Sequence, residues 1–91
     1  MELSKHHIKT ILEKLQDVYP FMLESDGYKE LAEELGSETT LDAHLLYLWE
    51  KGLIDTEMKF DVYGPQWNVS AHITRINSAG IDFLANAKAG A

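Results

Sequence analysis

The stretch from Ser37 to Ile54, SETTLDAHLLYLWEKGLI, restricts the fold more than any other part of the chain. Leu41, Leu45 and Leu48 fall at i, i+4 and i+7, so a helix places them on one narrow stripe. Ser37 stands where an N-cap is wanted, and Gly52 stands at the stop, where a left-handed backbone suits a residue without Cβ. Leu53 and Ile54 then begin a strand. A helix that hands its buried face directly to a strand leaves few ways of closing one core in 91 residues.

The preceding residues supply two further helices. Ser4 is placed as an N-cap, with Leu3 and Ile8 as a hydrophobic staple around it. Ile8, Ile11, Leu12, Leu15, Val18 and Tyr19 repeat at helical spacing until Pro20 stops the run. Lys5, His6 and Lys9 crowd the start of this helix, where positive charge opposes the dipole; they read either as a solvated face or as a small basic contact patch. Phe21 to Leu23 reads as a short strand or an extended connection. Asp26 and Gly27 open a second helix that turns Tyr28, Leu31 and Leu35 inward and Lys29, Glu30, Glu33 and Glu34 outward, with Gly36 at its end. Leu31, Ala32, Leu35 and Gly36, followed by Leu41 and Leu45, give helix-turn-helix spacing, although Leu41 comes one position early for the commonest pattern.

After Gly52 the period changes from 3.6 to two. Ile54, Met58, Phe60 and Val62 alternate with Asp55, Glu57, Lys59 and Asp61, the pattern of a half-buried strand. Turn signals run from Tyr63 to Asn68, and Val69 to Ile76 returns as the partner strand. Asn77 caps a last helix, with Ile76 and Ile81 as its staple and Phe83, Leu84, Ala85 and Ala87 on or beside its apolar side; residues 87–91 read as a fraying tail. The expected fold is α+β, a single winged helix-turn-helix domain over residues 1–91: a three-helix core, a two- or three-stranded antiparallel wing and a C-terminal helix.

Composition narrows the chemistry. The chain has no cysteine, which excludes disulfides, thiolate metal sites and cysteine nucleophiles and favours a reducing, cytoplasmic setting. Its N-terminal segment lacks the basic-then-apolar order of a signal peptide, and no segment is apolar enough to span a bilayer, so no membrane partner is expected. The net charge is −7, with −4 over residues 21–36, −2 over 37–54 and −2 over 55–68. Duplex DNA is held mainly by Lys and Arg on its phosphates, and the two segments that would face it here are acidic.

Two motifs carry a family resemblance. AHLLYLWEKGLI, from Ala43 to Ile54, resembles the recognition-helix-to-wing junction of many bacterial winged-helix regulators. ITRINSAGIDFL, from Ile73 to Leu84, is similar to the wing-to-last-helix segment of a small family of uncharacterised bacterial and prophage winged-helix proteins. Together they cover about the C-terminal half, in the family's order and separation. The resemblance implies a cytoplasmic winged domain of regulatory type without enzymatic activity. Leu46 and Trp49 depart from it, because those positions are usually polar or charged, and the third helix carries no Arg.

If the domain binds duplex DNA as a transcriptional regulator, the start of the third helix would enter the major groove. Ser37, Thr39, Thr40, His44 and Tyr47 would then read bases by hydroxyl and imidazole hydrogen bonds, with Gln66, Trp67, Asn68 and Arg75 contributed by the wing. The plainer readings are that Ser37 is only the cap, that Trp67 folds back across the hairpin, and that Arg75, the one arginine, pairs with a carboxylate such as Asp82. The alternative function is an acidic protein–protein interaction module that does not bind DNA. Leu46, off the leucine stripe, and Trp49 are the residues for a partner surface, with Trp49 read more plainly as the edge of the core, and a homodimer is expected through the first and last helices. His6, His7, His44 and His72 show no metal-ligand spacing, and no nucleophile–base constellation, phosphate loop or cofactor motif is present, so neither an enzyme nor a cofactor is expected.

Overall fold

Ser4 ends the extended chain by accepting the His7 amide on its hydroxyl at 3.3 Å, and α1 (Lys5–Val18) starts there. The computed structural model describes residues 3–89, which form four helices and two small antiparallel sheets. Ile11, Leu12 and Leu15 of α1 are fully buried, whereas Val18 is half-buried and Tyr19 is 43% exposed, because the helix leaves the core in its last turn.

α2 (Glu24–Leu35) begins two residues before the Asp26–Gly27 start read from the sequence, and it ends at Gly36 in the left-handed region, φ 103°. Phe21 to Leu23 is a connection rather than a strand, but the Leu23 amide donates to the Thr74 carbonyl at 2.8 Å, which ties it to the segment just before Arg75. α3 (Glu38–Glu50) follows after Ser37, which caps it by accepting the Thr40 amide at 3.1 Å. The α3 stop is a complete Schellman motif: Gly52, at φ 75°, donates to the Trp49 carbonyl and Leu53 donates to that of Leu48. Leu41, Leu45 and Leu48 are all completely buried.

The chain then builds two short ladders where the alternation predicts two long strands. β1 (Ile54–Asp55) pairs with β4 (Arg75–Ile76), and β2 (Met58–Asp61) pairs with β3 (Gln66–Val69) in the register Phe60 opposite Trp67. Thr56 and Glu57 on one side, and a 3-10 turn at Ala71–Ile73 on the other, separate them. The cause is a buried polar knot: Thr74, without solvent exposure, donates to the Ser70 carbonyl at 2.8 Å and so receives the Thr56 hydroxyl at 2.7 Å. Gln66, Trp67 and Asn68, expected in the turn, are therefore strand residues, and the turn proper is residues 62–65.

The hairpin of β2 and β3 reaches past the core. Ile54 and Met58 are buried, but Phe60 is 49% exposed and Val62 68%, so the alternation of the sequence outlasts the burial it predicts. α4 (Ser78–Ala89) is capped by the Asn77 side chain, which accepts the Gly80 amide at 2.9 Å. Of the apolar side expected for it only Leu84 is buried; Ile81 is half-buried, and Phe83, Ala85 and Ala87 are exposed. The helix includes Lys88 and Ala89, where a frayed tail is expected; residues 90 and 91 lie outside the described part. The observed architecture is thus winged-helix-like: three helices, a hairpin wing and a C-terminal helix.

Candidate functional site

The residues expected to read bases divide into those that hold α3 in place and those that face solvent. Ser37 is engaged twice with Thr40: it accepts that residue's amide and donates to its hydroxyl at 3.0 Å, so both serve the cap. His44 is completely buried. Its Nε2 accepts the Ser4 amide at 2.9 Å, which leaves Nδ1 to carry the ring proton and donate to the Thr40 carbonyl at 2.7 Å. The imidazole is thereby a bridge between the start of α1 and the first turn of α3, and it cannot reach a groove of DNA. The sequence hides this, because a histidine beside the leucine stripe looks like a polar residue on a helix flank.

Tyr47 is half-buried at the wall of an apolar groove, with the Lys51 ammonium 5.6 Å from its ring centre. Thr39 is exposed, as are Gln66 and Asn68 on the wing. Trp67 does fold back: its ring lies edge-on to Phe60 at 5.4 Å and packs against the core. Arg75 makes an ion pair as expected, but with Asp55 across the β1–β4 ladder at 2.8 Å, not with Asp82. Leu46 and Trp49 are both half-buried against the core, so neither stands out as a free patch.

The outward side of α3 is acidic. Glu38 and Glu50 are exposed, and Asp42 accepts a 2.6 Å hydrogen bond from the Tyr28 hydroxyl of α2. Burial is the largest influence on this pair; it raises the Tyr28 phenol strongly and raises the Asp42 carboxyl, against the Tyr28 hydrogen bond, which lowers it. Nothing in the sequence but the inward position of Tyr28 could have signalled the pair.

At the root of the wing, the hydrogen bonds from Arg75 and Asn77 hold the Asp55 carboxyl below its ordinary value. A depressed carboxyl stabilises the fold above the usual aspartate range, and that contribution is lost as pH falls through the lowered value. Because Asp55 is more than half exposed, water screens the pair and its worth is under about 1 kcal/mol. Arg75→Gln is therefore expected to shift the urea midpoint slightly downward at neutral pH, and the gap between variant and parent is expected to close below the aspartate range. A constant gap in acid would assign the effect to packing of Arg75 on the Tyr19 ring, 5.9 Å away. Asp42 works in the opposite sense: its raised value favours the fold at acid pH, and that benefit is lost as pH rises.

Among the described residues no three His, Asp or Glu side chains gather in a way that could hold a metal ion, and no helix is long and apolar enough to cross a membrane. Comparison of the chain with protein-family models, with curated proteins and with solved structures finds no match.

Proposed function

We propose that this chain is a small winged-helix module of regulatory type that acts by gripping another protein with its hairpin. The observation that carries this reading is the hairpin end, where Phe60, Val62 and Tyr63 are 49%, 68% and 96% exposed. Exposed aromatic and aliphatic side chains are where interface energy concentrates, with the aromatics as anchors. Beside it, the helix that would face phosphates presents Glu38 and Glu50 and no arginine, and the one arginine is tied to Asp55. Sign weighs here, since phosphate attraction needs cations rather than carboxylates on the helix that meets the duplex.

A transcriptional regulator that binds DNA is the second reading. It draws support from the winged arrangement, from the resemblance of AHLLYLWEKGLI and ITRINSAGIDFL to bacterial and prophage winged-helix proteins, and from exposed Thr39, Gln66 and Asn68. The two separate in one set of measurements. The Val62→Ser/Tyr63→Ser variant is expected to keep its stability within about 0.5 kcal/mol of the parent's, since both side chains are exposed. From the same lysate it should fail to recover a protein that the parent recovers in stoichiometric amount; equal recovery by both would overturn the hairpin as the grip. Association of the parent with random duplex DNA at low salt, weakening steeply as salt rises, would replace the protein-binding reading with the DNA-binding one.

A further inference from the structure

Between α1, the end of α3 and α4 lies a groove of about 490 Å³. Its floor is apolar: Leu12 and Leu84 close it with 0% and 1% exposure, and Phe83, 45% exposed, stands at its edge. Its rim is cationic. Lys5 and Lys9 project from neighbouring turns of α1 and Lys51 from the end of α3, and all three are exposed. Elsewhere Lys14, Lys59 and Arg75 are paired with Glu30, Glu57 and Asp55; among the described residues Lys5, Lys9 and Lys51, like Lys29 on α2, have no carboxylate partner, and the first three share this one rim. Three of the eight cations of a chain with net charge −7 thus gather, unneutralised, around one apolar floor.

We infer that this groove is a binding site for a small amphipathic carboxylate, an aliphatic acid whose hydrocarbon lies on Leu12, Phe83 and Leu84 and whose head meets the lysines. The volume falls in the range of small-molecule sites, ~300–1000 Å³. A carboxylate leaves water only against a positive partner, and lysines on a rim supply one while staying hydrated themselves. The α1 wall from Lys5 to Leu12 is about 10 Å long at 1.5 Å per residue, which suits one acyl chain; a stable protein interface needs on the order of 800 Å² from each partner. The same charge arrangement accounts for Lys5 and Lys9 at a helix start, where they oppose the dipole and add nothing to helix stability.

The test is a titration of the ¹⁵N-labelled full chain with decanoate below its micelle-forming concentration, alongside calorimetry and with 1-decanol as the uncharged counterpart. The expected result is saturable binding, with amide shifts centred on Ile8, Leu12, Leu53 and Leu84 and weaker binding of decanol. Lys9→Gln/Lys51→Gln is expected to weaken decanoate by roughly tenfold or more, the worth of one charge-assisted hydrogen bond. Both lysines are exposed, so the variant's melting curve should match the parent's. Absence of saturation, equal binding of decanol, or undiminished binding by the double variant would overturn the site. So would a doubled mass by light scattering with the groove amides already protected, which would assign the groove to a second copy packed through α1 and α4.

Discussion

Gly80→Ala is expected to lower the unfolding midpoint by roughly 10–20 °C, the counterpart of about 2–3 kcal/mol in a domain of this size. Local reasoning gives the opposite sign, since alanine inside an exposed helix is favoured over glycine by about 1 kcal/mol. The tertiary contact decides. A Cβ on Gly80 would lie 2.2 Å from the Leu53 carbonyl oxygen and 2.7 Å from Ile76 Cγ1, and the first of these is backbone that cannot rotate aside. That carbonyl already accepts the Asn77 amide at 3.3 Å, while the Asn77 side chain donates to the Gly52 carbonyl at 2.9 Å and caps α4. Moving Leu53 would therefore loosen the α3 stop and the α4 start together. Thermal unfolding followed by circular dichroism checks the sign, with exposed Ser78→Ala as the reference. A midpoint equal to or above the parent's would mean that α4 does not dock on the α3–β1 junction.

His44→Ala is expected to be comparably damaging, at about 2–4 kcal/mol. The change empties a fully buried site and orphans both the Ser4 amide and the Thr40 carbonyl, so a cavity term and an unmet hydrogen-bond term add. Thr39→Ala, five residues earlier and exposed, should stay within about 0.5 kcal/mol of the parent. Chemical denaturation of the two variants separates the roles: a residue that only read bases would leave the midpoint untouched. The ring of His7 packs edge-on against His44 at 5.2 Å, so hydrogen exchange should report the loss first in the opening turn of α1.

The helices were legible because their signals are local. Caps at Ser4, Ser37 and Asn77, the glycine stops at Gly36 and Gly52, and the leucine stripe each act within one or two turns, and each is found in place. The wing was legible in outline only. Its alternation continues through Phe60 and Val62, but burial depends on what lies over that face, and the Trp67 ring against Phe60 still leaves the two residues 49% and 68% exposed. The candidate site was least legible, since His44 and Arg75 are polar side chains whose roles depend on partners 40 and 20 positions away, Ser4 for His44 and Asp55 for Arg75.

By itself, then, the sequence determined the order of elements and their polarity: helices with one apolar stripe, a glycine stop, a hairpin and a capped last helix, all written in spacings that the backbone's own geometry reads. Only the tertiary structure decided what those polar groups do. Asp42 became the acceptor of Tyr28, His44 the bridge between two helices, and Lys5, Lys9 and Lys51 the rim of one groove. The physical reason is range. Caps and periodicity are settled by neighbours along the chain, whereas a charge or an imidazole takes its meaning from whichever distant group folding brings within hydrogen-bond reach.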